Sequence, residues 1–237
     1  MPTQQGENPA WATPALADGK GSEIVFVLAH GYGGTRAGWS ELMEKLDQRG
    51  YDSVAPAMPG QDASPQATVG FGVAEAKVLA STVQWVRSTS KSQPKIVLLG
   101  VSMGGASAWL ASQIVDVDGV VTEGAYATFD EAVTHWFGRL VPGGQFTFRP
   151  VIWIASARSG IKPGSIRPIE AALAWRGKPA LVIQAEHDNL ILRHHADRLA
   201  QAAGCELWIV PNAEHANCYP AAPEEYVDRL VTFAQRL

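Results

Sequence analysis

Ser102 lies at the centre of a Gly-x-Ser-x-Gly pattern at residues 100–104, a spacing that can make a serine hydroxyl a nucleophile. The apolar run 96–99 leads into the pattern, and small residues typical of a closely packed helix follow it. We therefore predict a strand, a sharp turn and a helix, with Ser102 at the tip of the turn. The flanking glycines lack Cβ atoms, so strand and helix can pass close beneath the serine. The N–H of Met103 would open the helix without an intrahelical partner and could bind an oxyanion.

A serine hydroxyl reacts readily only when a base removes its proton, and a third group must orient that base. Asp188 comes shortly after the apolar run 179–185, and His215 follows the run 206–210. Because the carboxyl ends of parallel strands share one edge of a sheet, we expect Ser102, Asp188 and His215 to meet there. A glycine-rich turn also connects strands to helices in proteins without a catalytic serine, so these partners decide between the two interpretations.

Apolar runs alternate with helical periodicity along the chain and define the elements that must carry these residues. Strands are predicted at 24–29, 51–57, 95–99, 119–123, 179–185 and 206–210. Helices are predicted at 38–49, 73–88, 191–203 and 222–236, directly after Ser102, and after a capping box of Thr128 and Glu131. The alternation predicts an α/β fold with a mostly parallel sheet of about six or more strands and helices on both faces.

The chain of 237 residues is expected to form a single domain, because no linker or repeat interrupts the pattern. Residues 1–22 show no periodicity and are expected to form an irregular N-terminal arm. The stretch 128–176 is too long for an ordinary loop and is expected to insert over the sheet edge. Aromatic residues of this stretch would either join the core or line an apolar ligand pocket. They are Trp136, Phe137, Phe146, Phe148 and Trp153.

The composition and net charge of the chain favour some classes of protein and argue against others. Hydrophobic residues make up 46% of the chain and charged residues 18%, which fits a globular domain with a substantial core. The net charge of −4, with no stripe of lysine and arginine, argues against a nucleic-acid partner. No apolar run approaches the roughly 20 residues of a membrane span. The N-terminus lacks the basic and apolar regions of a signal peptide, so we expect a cytoplasmic protein, with secretion as the alternative if a leader has been removed.

Metal and cofactor motifs are not evident. The chain has no metal-ligand spacing of any strength, and its glycine-rich loops match neither a dinucleotide-binding nor a P-loop pattern. We therefore expect no metal and no cofactor. Cys205 and Cys218 are expected to be free thiols, as is usual in the cytosol, with a disulfide between them as the alternative.

Over residues 24–235 the chain resembles the α/β-hydrolase superfamily, which uses the same chain order of serine, acid and histidine. The His-Gly-Tyr-Gly-Gly run at 30–34 resembles the family's oxyanion loop, and residues 100–105 resemble its nucleophile elbow. Residues 186–191 resemble the acid loop. Residues 213–217 resemble the histidine loop, although Glu214 stands where a glycine is usual.

A further loop, residues 57–64, resembles the family's Gly-His-Gly-x-Ser loop but departs from it at Gln61 and Asp62. These two side chains either line the cleft or belong to an ordinary polar loop.

The resemblance implies a role for each site residue. Ser102 would be the nucleophile, His215 the base and then the acid, and Asp188 the group that orients His215. The N–H groups of Tyr32 and Met103 would form the oxyanion hole. His30, with Gly31, would support the oxyanion loop from behind.

Several other side chains compete for these roles. Glu186 is the alternative acid, whereas Glu123 and Glu214 are expected to be solvated or to stabilise loops. His187, His194 and His195 are the alternative bases, but they lie in or just after the acid loop, where the family does not place its base. The pair His194-His195 is expected to be a solvated helix face rather than a metal site.

The function implied by the resemblance is that of an esterase-like or lipase-like serine hydrolase, in which the insertion at 128–176 would form a small cap and its aromatic residues an acyl or alcohol pocket. It would cleave small carboxylic esters of short to medium chain length through an acyl-serine intermediate. An acyltransferase, thioesterase or amidase with the same three residues is the first alternative. A non-catalytic binding protein on the same fold is the second.

Overall fold

A computed structural model of the chain describes residues 2–3, 6–19, 21–140 and 161–237. Within these ranges seven strands form one sheet. The strands are β1 (Ala10–Ala12), β2 (Ile24–Ala29), β3 (Asp52–Pro56), β4 (Lys95–Val101), β5 (Gly119–Glu123), β6 (Ala180–Ala185) and β7 (Glu206–Val210). Two further strands of two residues, Pro2–Thr3 and Gly6–Glu7, pair with each other in antiparallel fashion.

The sheet has the strand order β1-β3-β2-β4-β5-β6-β7, in which β1 runs antiparallel to β3 and all other neighbours are parallel. Strands β2 to β6 are buried over nearly their whole length, as expected for a parallel sheet covered on both faces. This confirms the predicted fold class. Ala29, Gly100 and Thr122 lie in register across β2, β4 and β5, so the residues that follow them share one edge.

Helices cover both faces of the sheet. They are α1 (Pro14–Ala17), α2 (Ser40–Gln48), α3 (Val73–Thr89), α4 (Met103–Ala111), α5 (Phe129–Leu140), α6 (Pro168–Ala174), α7 (Arg193–Ala203), α8 (Cys218–Ala221) and α9 (Pro223–Ala234). Short 3-10 turns lie at Arg36–Trp39 and Pro163–Ser165. Neighbouring strand residues point to opposite faces. Leu98 therefore joins the core cluster shared with α3, α4, α6 and α7, and Leu99 joins the cluster shared with α2 and α9.

The structure corrects the expectation of an irregular arm at 1–22. Ala10–Ala12 adds an antiparallel strand to the edge of the sheet, and its pairing is continued by hydrogen bonds from Thr13 N–H to Ser53 O and from Ala57 N–H to Pro9 O. Three residues are too few to show a period, so this strand depends on the edge of β3 rather than on a local signal.

The stretch expected to form a cap divides into parts. Residues 129–140 form α5, whereas α6 packs through Ala171 and Ala172 into the core cluster that also holds α4 and α7. Trp175, at the end of α6, is 2% exposed in that same cluster. Phe146, Phe148 and Trp153 lie outside the described residues.

The structure also bears on the cysteines and on membrane-spanning segments. Cys205 and Cys218 are free thiols, which confirms that prediction. In the described part of the chain, no helix combines the length and hydropathy of a bilayer-spanning segment.

Candidate active site

The turn between β4 and α4 holds Ser102 in a strained conformation, with φ 55° and ψ −118°. A positive φ is unusual for serine and persists only where the surrounding structure imposes it. The glycines around it allow the close packing that the sequence predicted. A Cβ on Gly100 would lie 2.2 Å from the carbonyl oxygen of Gly104, and one on Gly104 would lie 2.1 Å from that of Ala29. No side chain larger than hydrogen fits at either position.

The structure brings Ser102, His215 and Asp188 together at the predicted edge of the sheet. His215 Nε2 lies 2.9 Å from Ser102 Oγ, and His215 Nδ1 lies 2.7 Å from Asp188 Oδ2. A carboxylate can only accept, so the imidazole carries its proton on Nδ1 and leaves Nε2 to accept from the serine hydroxyl. The Asp188 side chain is fully buried, while that of His215 is 17% exposed. The array can therefore pass a proton between the serine and a substrate that enters from solvent.

Backbone groups hold Asp188 in place. Its Oδ1 accepts the N–H groups of Leu190 at 3.0 Å and Ile191 at 2.8 Å, which leaves Oδ2 for the histidine. His187 N–H donates to Ala213 O at 2.9 Å and so ties the acid loop to the histidine loop. The acid therefore approaches His215 from a fixed direction.

The competing residues are engaged elsewhere. The alternative acid, Glu186, accepts the N–H of Asn212 at 2.9 Å and acts as a loop brace. The exposed side chain of His187 lies 3.9 Å from the Glu186 carboxylate. Neither side chain contacts Ser102 in the described structure.

The expectation of a solvated face at His194-His195 is wrong for His195. Its side chain is buried, 2% exposed, and its Nδ1 accepts the N–H of Ala127 at 3.2 Å. Glu131 Oε2, in the first turn of α5, lies 3.6 Å from His194 Nε2 and 2.6 Å from Arg198 Nη1 in α7. His194 and His195 lie close to Glu131, a grouping with the side-chain types of a metal site. However, Arg198 Nη1 already lies 2.6 Å from Glu131 Oε2, so a cation occupies the carboxylate and the group fits a metal poorly.

The oxyanion loop lies directly against the serine. A Cβ on Gly31 would be 3.2 Å from Ser102 Cβ, and Gly34 N–H closes the loop by donating to Gly31 O at 3.1 Å. His30 Nδ1 lies 2.9 Å from the same Gly31 oxygen. Burial lowers the pKa of His30, which keeps the imidazole neutral as a donor to this carbonyl. His30 and Gly31 thus contact each other in the loop beside Ser102, and their supporting role stays a prediction.

Gln61 and Asp62, which were expected either to line the cleft or to belong to an ordinary polar loop, brace the oxyanion loop. The Gln61 side-chain oxygen accepts the N–H of Gly33. Asp62 binds the guanidinium of Arg36, which holds the pKa of Asp62 below its usual value. Their departure from the usual loop pattern was the one signal in the sequence that pointed to them.

Of the two alternatives expected for Glu123, a solvated side chain or one that stabilises a loop, the structure excludes the first, because Glu123 is 2% exposed beneath the site. Its carboxylate accepts the N–H of Cys218 and the hydroxyl of Tyr226, each at 3.0 Å. Burial raises the pKa of this carboxyl. In addition, its backbone oxygen accepts the N–H of Ser102 at 2.7 Å, so Glu123 touches both the elbow and the histidine loop.

An apolar cluster adjoins the elbow and the acid loop. Its buried members are Met103, Ala106, Tyr126, Phe129, Ala132, Ile166 and Ile191. Trp136 is 46% exposed and packs on Phe137, with ring centres 5.2 Å apart; neither belongs to this cluster. A pocket role for these two residues stays a prediction, and Trp153 lies outside the described residues.

Comparisons with known proteins support the fold. A model of the "Alpha/beta hydrolase family" matches residues 26–229. The structure is similar to the esterase Pf2001 of Pyrococcus furiosus, with 22% identity over 99% of this chain and 89% of that chain and a TM-score of 0.76. It is also similar to the alpha/beta hydrolase GrgF of Penicillium sp. sh18, with 15% identity, coverage of 100% and 96%, and a TM-score of 0.76. No curated protein matches the chain by sequence. At these identities the structural likeness is one of fold.

Proposed function

The chain belongs to the alpha/beta hydrolase family, and we propose that it is a serine hydrolase that cleaves carboxylic esters through an acyl-serine intermediate. The observation that carries the proposal is the 2.9 Å separation of His215 Nε2 from Ser102 Oγ, with Asp188 bound to the other ring nitrogen. That arrangement is the one that activates a serine hydroxyl.

In the first half of the reaction, Ser102 Oγ attacks the ester carbonyl carbon while His215 Nε2 takes the hydroxyl proton. The carbonyl oxygen becomes an oxyanion, which the N–H groups of Met103 and Tyr32 stabilise. The bond from carbon to the leaving oxygen then breaks, and His215 donates its proton to the departing alcohol. An acyl-serine remains.

In the second half, His215 removes a proton from water, and the resulting hydroxide attacks the acyl carbon. The second tetrahedral intermediate collapses, the acid leaves, and the proton returns to Ser102 Oγ. Asp188 stabilises the imidazolium in both halves and fixes the tautomer of His215. Short to medium acyl chains are the proposed substrates, because the apolar cluster that contains Met103 adjoins the nucleophile.

Replacement of the nucleophile tests the proposal. Ser102→Ala is expected to lower kcat on p-nitrophenyl butyrate by about 10³-fold or more and to abolish labelling by a fluorophosphonate probe. Ser112→Ala is the matched control, because the Ser112 hydroxyl bonds to Trp109 O at the far end of α4. Near-native turnover by the Ser102→Ala variant would overturn the proposal. Product analysis with an added alcohol, and turnover of matched thioester and amide substrates, separate a hydrolase from the related reaction types.

A further inference from the structure

Phe71 adopts a backbone conformation that a bulky residue rarely takes, with φ 47°. It stands between Gly70 and Gly72 in the loop before α3, and Gly72 also has a positive φ, of 111°. Strained residues of this kind cluster at ligand sites and switch regions, where the surrounding structure holds them. The strained conformation of Phe71 therefore requires neighbouring groups that hold it in place.

Two buried side chains hold the turn. Glu75 accepts the N–H of Gly70 with Oε1 and the N–H of Gly72 with Oε2, each at 2.7 Å, and its side chain is completely buried. The hydroxyl of Tyr126 donates to the carbonyl oxygen of Phe71 at 2.8 Å. Burying a carboxylate is costly even when it is hydrogen-bonded. Here both carboxylate oxygens accept backbone N–H groups on either side of Phe71. These hydrogen bonds offset the cost of burial and hold Phe71 in its conformation.

The ring of Phe71 lies at the side of the active site. It stacks on Tyr32 with ring centres 6.0 Å apart and on Phe129 with ring centres 4.8 Å apart. Tyr32 supplies one proposed oxyanion donor, and its side chain is 67% exposed. Phe129 belongs to the same apolar cluster as Met103, the residue that supplies the other donor. The Phe71 ring, itself half-buried, thus bridges the sides of the oxyanion hole and presents an apolar surface next to it.

We propose that Phe71 determines substrate specificity: its ring and that of Tyr32 form an apolar wall on which the hydrocarbon group of an ester packs. Glu75 and Tyr126 are positioning residues that hold Phe71 in this place. The inference rests on the proposed hydrolase function, because the wall adjoins only a substrate bound at Ser102. Burial of a methylene group on such a surface favours binding by about fourfold, so the wall selects esters with a longer hydrocarbon chain over otherwise identical esters with a shorter one.

Two series of esters test the wall and identify which side of the substrate it contacts. The first holds the alcohol constant as p-nitrophenol and lengthens the acyl group from acetyl to butyryl and hexanoyl. The second holds the acyl group constant as acetyl and lengthens the alcohol from ethyl to butyl and hexyl. In the wild-type protein kcat/KM is expected to rise with length in one series by about fourfold for each methylene that reaches the wall.

Phe71→Ala is expected to lower the ratio of kcat/KM for butyryl over acetyl, or for butyl over ethyl, by about fivefold or more. In the affected series, kcat/KM for the shortest ester should fall by a smaller factor than kcat/KM for the longer esters. Phe71→Leu, which preserves an apolar side chain, should recover part of the ratio, and it keeps the test decisive if the alanine variant folds poorly. Tyr126→Phe, which removes only the hydroxyl bonded to Phe71 O, should lower the same ratio by a smaller factor.

Phe233→Ala is the matched control. Phe233 is buried, 9% exposed, and packs against Gly119 at the opposite end of β5, so its loss should lower Tm without changing either ratio. If Phe71→Ala left the ratio unchanged in both series, the proposed wall would be wrong. An unchanged ratio with an equal fall in kcat/KM for all esters would indicate a structural role instead. Failure of the hydrolase proposal gives a different result: wild-type protein with no Ser102-dependent turnover of acetate and no fluorophosphonate labelling.

Discussion

The buried carboxylate of Glu123 accepts the backbone N–H of Cys218 at 3.0 Å, and this bond joins strand β5 to the loop that carries His215. The other carboxylate oxygen accepts the hydroxyl of Tyr226 in α9. The backbone oxygen of Glu123 accepts the N–H of Ser102. One residue therefore fixes the elbow through its main chain and the histidine loop through its side chain.

Removal of this carboxylate should cost stability and activity together. Glu123→Ala leaves the Cys218 N–H and the Tyr226 hydroxyl buried without a partner and opens a cavity, so we expect a loss of about 3 kcal/mol in unfolding free energy. A fall in kcat should accompany it, because His215 is no longer anchored. Urea unfolding and ester turnover measure the two effects.

Glu123→Gln provides the comparison for this prediction. An amide can accept from Cys218 and donate to the oxygen of Tyr226, so most of the lost stability should return. Equal stability of Glu123→Ala and the wild-type protein would contradict the anchoring role.

The position of Glu123 shows why the sequence predicts that Ser102, Asp188 and His215 lie together but does not predict the contacts that support them. Ser102, Asp188 and His215 each follow an apolar run, and the order of strands places such residues at one edge without knowledge of side-chain contacts. The partners of Glu123 are 95 and 103 residues away in the chain. No local period or motif records contacts of that range, so Glu123 was expected to be solvated or merely loop-structural.

The same distinction applies to the fold. The six predicted strands all form, within two residues of the predicted bounds, because buried parallel strands are continuous apolar runs. Strand β1 was missed because three residues at a sheet edge carry no period. Phe71 was missed because its loop has neither period nor motif, and its strain exists only in the folded backbone.

Gly124 lies beside the bond between acid and base, and an added methyl group should disturb that bond. A Cβ at this position would lie 3.3 Å from both Asp188 Oδ2 and His215 Cε1, and φ is 56°, which disfavours any residue with a Cβ. Gly124→Ala is expected to cost about 1 kcal/mol of stability and to lower kcat about tenfold or more. Steady-state kinetics and thermal unfolding measure the two changes.

Gly204→Ala separates backbone strain from the effect on the site. Gly204 has φ 69° at the end of α7, and the nearest atom to its Cβ position is Arg176 Cγ at 3.8 Å. This variant should lose comparable stability and retain kcat. If Gly124→Ala also kept its full kcat, the proposed crowding of Asp188 and His215 would be wrong.

The oxyanion loop should depend on Gln61. Because the Gln61 side-chain oxygen accepts the N–H of Gly33, Gln61→Ala frees the loop that carries the Tyr32 donor. We expect kcat to fall about tenfold with little change in KM, since the loop acts on the transition state more than on the bound substrate. Gln66→Ala is the control: Gln66 bonds to Gly60 through its backbone oxygen, and that bond survives the change. Equal kcat for the two variants would remove Gln61 from the support of the loop.

His195 makes the stability of the fold depend on pH. Burial, assisted by the neighbouring His194, lowers the pKa of His195 from 6.5 to about 4. The unfolded chain therefore binds a proton below pH 6.5 that the folded protein does not take up until about pH 4. The stability that the fold gains by keeping His195 neutral is fully present above pH 6.5 and is lost as the pH falls toward 4.

His195→Asn should reduce the loss of unfolding free energy at acid pH. An asparagine oxygen can still accept the N–H of Ala127 but does not titrate, so the fall in unfolding free energy from pH 7 to pH 5 should shrink by about 2 kcal/mol. Urea unfolding at the two pH values measures it. His187→Asn is the matched control, because the His187 side chain is 60% exposed and its loss should leave the pH dependence of the unfolding free energy unchanged. If the unfolding free energy of His195→Asn fell as steeply from pH 7 to pH 5 as that of the wild-type protein, His195 would be protonated in the folded state at pH 5. Burial would then not control its charge.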